Sequence, residues 1–533
     1  MGDRGGPDQS ELSPARSRIC STRLGEMPKC RAIAASPAPD ERMCTVASSR
    51  SGSGRGSARH ESGSSGPRLR SASARCRSHT LQAQVAAEIA ALAEAAAATL
   101  VDPGGSDDVL GTVEMAMREA LHAARARLLE KILAADRGYR GPHVDCGGGH
   151  QADFVSYRTK SFDTVLGSIE LCRAWYHCDE CGHGLAPRDD ELRLSGGSLS
   201  PGLSAMVDRV AAEGPFVPAS ELLGHLAGVA VGAKRIERAA EANGQVLAHV
   251  LAAEVAALAA GDATVVGTTL DKPEKLYVAL DGTGVPTVAA EVKGRAAKNA
   301  GGVARTREAK LAVVITQTKL DDEGHPVRDP DSSSYLATFE PAESFGHHAE
   351  LAARRRGSDH AARVVVLGDG AEWIWNLAER HFPAATHCVD LYHARQHLHA
   401  LNRTVACAVA KLSPGWSERR VGELDAGDID ALLAAFADLE LAETDRAAVD
   451  KQLCYFRTNR TRMAYRAFRQ AGLFVGSGVV EAGCKTIIAE RLKQSGMRWT
   501  TNGAAGIFTL RCKQASGTWD DSRQRLHAHK RAA

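Results

Sequence analysis

Two apolar runs that each end on Asp-Gly constrain this chain more than any other feature. LYVAL (276–280) leads into Asp281-Gly282, and VVVLG (364–368) leads into Asp369-Gly370. Short apolar runs bounded by turn signals read as buried strands. A carboxylate at the C-terminal end of such a strand faces the crevice where α/β sheets bind ligands. If the two strands lie side by side, the two carboxylates converge and repel, and they need a cation. Oxygen ligands suit Mg²⁺, with Mn²⁺ as a substitute. Two such ions ~3.5–4 Å apart clamp an in-line phosphoryl displacement. Glu481, far along the chain at the start of a predicted helix, is the candidate third carboxylate. The competing reading makes each Asp an ordinary turn residue, because Asp-Gly is a common turn dipeptide.

The pattern around these runs predicts an α+β or α/β multidomain chain. Residues 1–80 are rich in Ser, Arg, Gly and Pro, without periodicity, and read as a disordered basic extension. Residues 81–139 form a helical region, 140–198 a Cys/His/Gly-rich segment with strand-like pieces, and 199–265 a second helical region. From 273 to 403 the order becomes strand-rich. LYVAL is expected to end at Asp281, with VPTVAAEV following a Gly-Thr-Gly turn, then KLAVVITQT and SSYLATFE, then strand-helix units at RVVVLGDGAEWIWNLAERHF and THCVDLYHARQHL. A helical insertion over 404–472 precedes a final helix and basic tail over 473–520, and 521–533 reads as a disordered end. This order is that of an RNase H-like core with an all-helical insertion.

Four further constellations carry chemistry. Asp390 and His393 lie three apart where a short strand meets a helix. They are a metal or base pair, partners that hold the site, or a plain N-cap beside an exposed His. His143-x-x-Cys146 and Cys178-x-x-Cys181 have the paired spacing of a zinc ribbon with Cys₃His ligation, and His150 and His183 compete for the fourth position. Residues 219–241 read as helix, Gly-containing turn and helix, with Lys234, Arg235 and Arg238 on the second helix. That is helix-turn-helix spacing, though an ordinary helical hairpin looks the same. Lys485, Arg491, Lys493, Arg498 and Arg511 form a basic strip beyond Glu481, suited to phosphate contact or to a solvated face.

Charge is distributed to match. Residues 451–533 hold 16 Lys+Arg and 4 Asp+Glu, whereas residues 81–450 hold 36 and 53. A basic end beside an acidic middle predicts a polyanion partner and an acidic site. No run of about 18 apolar residues argues for a membrane span. The thirteen cysteines are mostly scattered singly, which argues against a secreted disulfide framework. A reducing cytoplasm is the expected setting.

LYVALDGTGVP, TREAKLAVV, LGDGAEWIWNLAERHFPAATHCVDLYHARQHL and SGVVEAGCKTIIAERLKQSGMRW resemble the DDE transposases of the ISKra group of bacterial insertion sequences, distantly Mutator-like. RAWYHCDECGHGLAPRD resembles the zinc-binding segment that precedes their catalytic domain, and the likeness spans roughly residues 140–515. The resemblance implies a catalytic triad of Asp281, Asp369 and Glu481, with Asp390 and His393 as the accessory motif after the second Asp. It implies two Mg²⁺ or Mn²⁺ ions and one structural Zn²⁺. The partners would be double-stranded DNA at transposon ends and target, bound by a homodimer or larger assembly at the bacterial nucleoid. Where the family usually has a Cys pair near Cys146, here His143 or His150 stands in, and His143 is taken as the ligand. The expected activity is metal-dependent strand cleavage and strand transfer. The alternatives are an RNase H-like nuclease that does not transpose and a non-enzymatic zinc/helix-turn-helix DNA-binding protein.

Overall fold

The computed structural model describes residues 108–532, apart from 195–196, 268–271, 296–303 and 410–411, with scattered positions between 83 and 98. The expected extension over 1–80 lies outside the described residues.

Helix α1 (Val109–Ala134) starts at Asp108, whose carboxylate accepts the Gly111 amide at 2.9 Å. It lies against an antiparallel sheet of four strands in sequence order, β1 (His143–Asp145), β2 (Gln151–Thr164), β3 (Gly167–Cys178) and β4 (His183–Leu185). Two small cores hold this region. Phe162, Ile169 and Leu171 pack against Leu129 and Leu133 of α1, while Ala152, Ala174, Tyr176 and Cys178 pack together at the far end of the hairpin. A short helix, α2 (Pro187–Glu191), brings Asp189 to the buried Arg173 guanidinium at 2.5 Å.

The next three helices are α3 (Pro201–Glu213), α4 (Phe216–Leu222), which continues as a π turn over Leu223–Ala227, and α5 (Ala233–Ala259). They make up the helical region expected over 199–265, and they pack into the core of the central sheet. Leu203, Val207, Ile236 and Leu247 belong to the same hydrophobic cluster as Leu280, Val313 and Leu367 of the central sheet. The reason lies in α5, whose row Ile236, Ala240 and Leu247 is fully buried or nearly so. α5 is also the one described helix long and apolar enough to cross a membrane, yet its buried Asn243 donates to Asp208 of α3 at 2.9 Å.

The central sheet begins with β5 (Lys275–Pro286) and β6 (Thr306–Gln317), continues after the small hairpin β7 (Lys319–Leu320) and β8 (Pro326–Val327) to β9 (Ser334–Thr338), and, beyond α6 (Ala342–Arg355), takes in β10 (Arg363–Gly368). Helix α7 (Glu372–His381) then leads to β11 (Thr386–Val389) and α8 (Leu391–Ala408). The spatial order is β11-β10-β5-β6-β9. β5, β6 and β9 are antiparallel, and β10 and β11 run parallel to β5. The strand expected to end at Asp281 is in fact continuous through Gly-Thr-Gly, with Asp281 paired to Leu311 and Pro286 to Thr306. The second half of VPTVAAEV forms a single 3-10 turn over Ala289–Val292, not a strand.

The helical insertion holds α9 (Trp416–Ala426), α10 (Ile429–Ala437), α11 (Glu443–Asn459) and α12 (Tyr465–Gln470). α13 (Gly478–Gly483) widens into a π-helix over Cys484–Ala489 and closes as Glu490–Leu492. α14 (Thr501–Ala515) crosses α5 closely enough that a Cβ at Gly244 would stand 2.1 Å from the Gly506 carbonyl oxygen. The expected disordered end over 521–533 is instead mostly helix, as α15 (Trp519–Ala532). It is held by the buried Leu526 and by an ion pair between Arg523 and Asp208.

Candidate active site

The parallel pairing of β10 with β5 sets the site. Leu367 lies beside Ala279, an offset of 88. The same offset from Asp281 reaches Asp369, the first residue past β10, so the two aspartates stand abreast on neighbouring strands. Asp281 Oδ1 accepts its neighbour Gly282 N–H at 2.6 Å, and Oδ2 accepts the Cys484 thiol at 3.2 Å. Burial raises the Asp281 carboxyl above its ordinary range. The Cys484 and Gly282 hydrogen bonds oppose that, the Asp369 charge adds to it and His393 opposes it. Burial and the Asp281 charge together keep the Cys484 thiol protonated, as a donor. Asp369 Oδ1 accepts the Ala371 amide at 2.9 Å, which opens α7.

Glu481 lies three residues before Cys484, whose thiol bonds Asp281. It is exposed in the first turn of α13 and takes a hydrogen bond from the Ser477 hydroxyl at 3.3 Å. Ligand atoms of Glu481, His393 and Asp390 lie within 4.8 Å of one another. That grouping is not the expected triad: Glu481 meets the accessory pair, and His393 also acts on Asp281. No ion pair joins Glu481 to Lys485 among the described residues, because the helix widens after Gly483 and Lys485 stands exposed.

Asp390 is a fully buried N-cap. Its carboxylate accepts the His393 amide at 2.6 Å and the Ser477 amide. It therefore joins the start of α8 to the approach of α13.

The sequence reading misses three groups here. His397 stacks on Tyr455 with ring centroids 4.0 Å apart, and the Tyr455 hydroxyl donates to the Asp369 carbonyl at 3.1 Å. Burial, then the neighbouring His393 charge, lowers the His397 pKa, opposed by Asp369. The spacing of His393 and His397, four apart on one helix, is the signal that could have found His397. Tyr455 lies in the insertion and carries no such signal. Thr283, inside the supposed turn, accepts from Lys493 Nζ at 2.5 Å.

A second cluster lies at the end of the N-terminal sheet. Cys146, His150, Cys178 and Cys181 bring one ligand atom each within 4.8 Å of the others. The Cys181 sulfur is 3.4 Å from Cys146, 3.5 Å from Cys178 and 3.0 Å from His150 Nδ1. Its hydrogen bonds with Cys146 and then Cys178 hold the Cys181 proton and push its pKa up to about 12. His143, the expected ligand, is corrected to His150. β1 pairs His143 with Asp153, whose carboxylate holds its Nδ1 at 2.5 Å, whereas His150 sits in the β1–β2 turn beside Cys146.

The sequence model of an uncharacterised protein family (UPF0236) matches residues 337–527. That stretch runs from the end of β9 into α15. It contains Asp369, Asp390, His393 and Glu481, and it starts beyond Asp281 and the Cys/His cluster. No curated protein matches the chain.

The expected DNA-contacting residues divide. Arg491 is fully buried: its Nε donates to the Ala211 carbonyl at 2.9 Å, and its guanidinium lies 4.7 Å from the Phe216 ring centroid and 5.1 Å from that of Trp499. Arg511 likewise donates to the carbonyls of Ile487, Ala212 and Thr486. Arg491 is thus withdrawn from solvent, while Arg511 is half-buried. Lys234 pairs with Glu237 at 2.7 Å, and Arg235 pairs with Asp163. Lys485, Arg498 and Arg238 are exposed, and Lys493 faces the candidate site.

Proposed function

We propose that the chain is a DNA transposase that cuts and joins phosphodiesters with two divalent cations held by Asp281, Asp369 and Glu481. The observation that carries the reading is the β5/β10 register, which sets two carboxylates abreast at the mouth of a mixed sheet. Three antiparallel strands followed by two parallel ones, then a helical insertion and a Glu-bearing helix, support an RNase H-like core. The residues fit the cations: Asp281 is held above its ordinary pKa beside a second carboxylate, and the nearby Lys493 hydrogen-bonds Thr283. Mg²⁺ or Mn²⁺ bound there would activate a water or 3′-hydroxyl nucleophile and neutralise charge on the phosphate.

The protein's own groups have separable roles in this reading. Asp390 positions the approach to α13, and Ser477 orients the Glu481 carboxylate. The Cys484 thiol holds one Asp281 oxygen, and Tyr455 fixes the Asp369 backbone. Lys493, half-buried, places a cation beside the acidic crevice for the scissile phosphate. The Cys146, His150, Cys178 and Cys181 cluster fits one Zn²⁺ in Cys₃His ligation, since three crowded sulfurs and an imidazole are a tetrahedral donor set. In that reading the small N-terminal sheet is a metal-stabilised DNA-contacting module.

The test is cleavage and joining of oligonucleotides carrying the DNA that flanks the gene, with Mg²⁺ supplied. Glu481→Gln and Asp369→Asn should each lower both reactions by at least about a thousandfold, about 4 kcal/mol of transition-state stabilisation, with folding intact. Wild-type rates in either variant would overturn the assignment. Cleavage without joining would favour a nuclease.

A further inference from the structure

A third group of ligand-bearing side chains lies away from both clusters, where α6 meets α7. His347 and Glu350 stand three apart on α6, and His381 closes α7. One ligand atom from each lies within 4.8 Å of the others. His381 Nδ1 is 2.9 Å from Glu350 Oε2, His347 Nδ1 is 3.9 Å from the same oxygen, and the two imidazole centroids are 4.5 Å apart. Ligands bound at about 2.0–2.1 Å around a tetrahedral ion are about 3.3–3.4 Å from each other. The observed separations bracket that value, so small side-chain movements suffice.

The surroundings are those of a built site. The His381 side chain is only 4% exposed, so its ring is held in one place. It is admitted by Gly346, where a Cβ would stand 2.3 Å from His381 Nε2. The outer oxygen of Glu350 faces the Arg354 guanidinium at 3.8 Å, and Arg354 is itself fixed to Asp359 at 2.9 Å. Such outer partners orient metal-bound carboxylates. Glu350 and His381 also line a surface cavity of about 590 Å³, which supplies a path in and room for a fourth ligand. Arg363, at the start of β10, lines the same cavity, whereas Asp369 follows the strand's other end. Six residues of strand separate the two sites by roughly 20 Å, so this group cannot share ions with the carboxylates.

We propose that His347, Glu350 and His381 form a separate transition-metal site, best suited to Zn²⁺, that clamps α6 to α7. Two imidazoles and a carboxylate with an open position are a zinc donor set, and Mg²⁺ and Ca²⁺ prefer all-oxygen shells.

The test uses untagged full-length protein in excess Mg²⁺, which occupies the carboxylate crevice. Zn²⁺ uptake is measured by equilibrium dialysis and elemental analysis, and Co²⁺ binding by absorption. Wild type should retain one equivalent more than His347→Ala and than His347→Ala/His381→Gln. That equivalent of Co²⁺ should give visible d–d bands without the thiolate charge-transfer band of a cysteine site. Its binding should raise Tm in the wild type and not in the variants. His347→Ala leaves the Glu350–His381 hydrogen bond in place, so it remains informative if the double variant misfolds. Equal uptake and equal Co²⁺ spectra in wild type and His347→Ala would overturn the proposal and leave the three side chains as a hydrogen-bonded helix contact.

Discussion

Gly483 sets how close the Glu481 helix comes to the Asp281 strand. A Cβ at this position would stand 2.9 Å from Leu311 Cδ2, 3.1 Å from Val313 Cγ2 and 3.2 Å from Tyr335 Cε1. Leu311 is the β6 residue paired with Asp281, and both Leu311 and Val313 are fully buried, so neither has free space to retreat into. Ordinary contact begins near 3.4 Å, which leaves a shortfall of 0.5 Å at the closest atom. Gly483→Ala should therefore move α13 outward by roughly half an ångström, carrying Glu481 with it. Overpacking of this kind costs about 1–3 kcal/mol, and Ala recovers about 1 kcal/mol through its helix propensity. The net loss of stability should be about 2 kcal/mol or less. Misplacement of a catalytic group by 1 Å lowers rates by about a hundredfold, so half that displacement should slow Mg²⁺-dependent cleavage by about tenfold or more. Ala482→Gly is the control. Ala482 is exposed, and its replacement by Gly weakens the same helix by about 1 kcal/mol without pushing on the sheet. The assays are single-turnover cleavage and urea unfolding on both variants. If Gly483→Ala cuts at the wild-type rate, or if Ala482→Gly slows cleavage equally, the close approach does not position Glu481.

Gly244→Ala should lower Tm, because its Cβ would meet the Gly506 carbonyl at 2.1 Å and force α5 and α14 apart; the expected net loss is about 1–2 kcal/mol, and a raised Tm would contradict the close crossing. Arg491→Ala should cost about 3 kcal/mol, by emptying the space between Phe216 and Trp499 and unpairing the Ala211 carbonyl. Arg491→Met, which keeps most of the stem, should leave the salt dependence of DNA binding unchanged, so a shallower salt slope would return Arg491 to the DNA interface. Burial pushes the Asp208 pKa up from 3.8 to about 7, against the opposing pull of Arg523. A carboxyl raised in the folded state keeps its proton there while the unfolded chain has lost it, so its contribution to stability falls as pH rises from about 4 to about 7. Urea unfolding across that window should show a shallower pH dependence for Asp208→Asn than for wild type, and equal slopes would refute it.

How much of the site could be read from sequence depended on whether the signal was local. Asp369 was legible because VVVLG ends at a real turn, where Gly370 has φ +96°. Asp281 was legible as a strand residue, but the strand did not stop there. Gly282 and Gly284 suggested a turn, whereas they are ladder residues whose missing Cβ atoms would stand 3.0 Å from Glu308 and Thr306 side chains folded over β5. His150 could not be chosen over His143 by spacing, since both flank Cys146 and only the hairpin register puts one in the turn. Arg491 read as part of a basic strip because helical spacing says nothing about which residues a neighbouring helix will cover. Three-dimensional closure decided each of these cases.

The long separation between Asp369 and Glu481 has a local explanation of the same kind. The helical insertion leaves the sheet through α8 and returns at Val475 and Ser477. The two ends are tied directly: Leu391 N–H donates to the Val475 carbonyl at 2.9 Å, and Asp390 accepts the Ser477 amide. Asp390 N–H in turn donates to the Gly368 carbonyl at 2.8 Å, one residue before Asp369. Glu481 is thus connected to β10 by a few hydrogen bonds, however many residues the insertion contains. Closing a loop costs entropy that grows only with the logarithm of its length, so an insertion whose ends meet at a rigid strand can vary in length at small cost to the carboxylate geometry. The insertion still acts on the site through Tyr455, which stacks on His397 and holds the Asp369 carbonyl. Its base ties Glu481 to β10, while α11 reaches the Asp369 backbone through Tyr455.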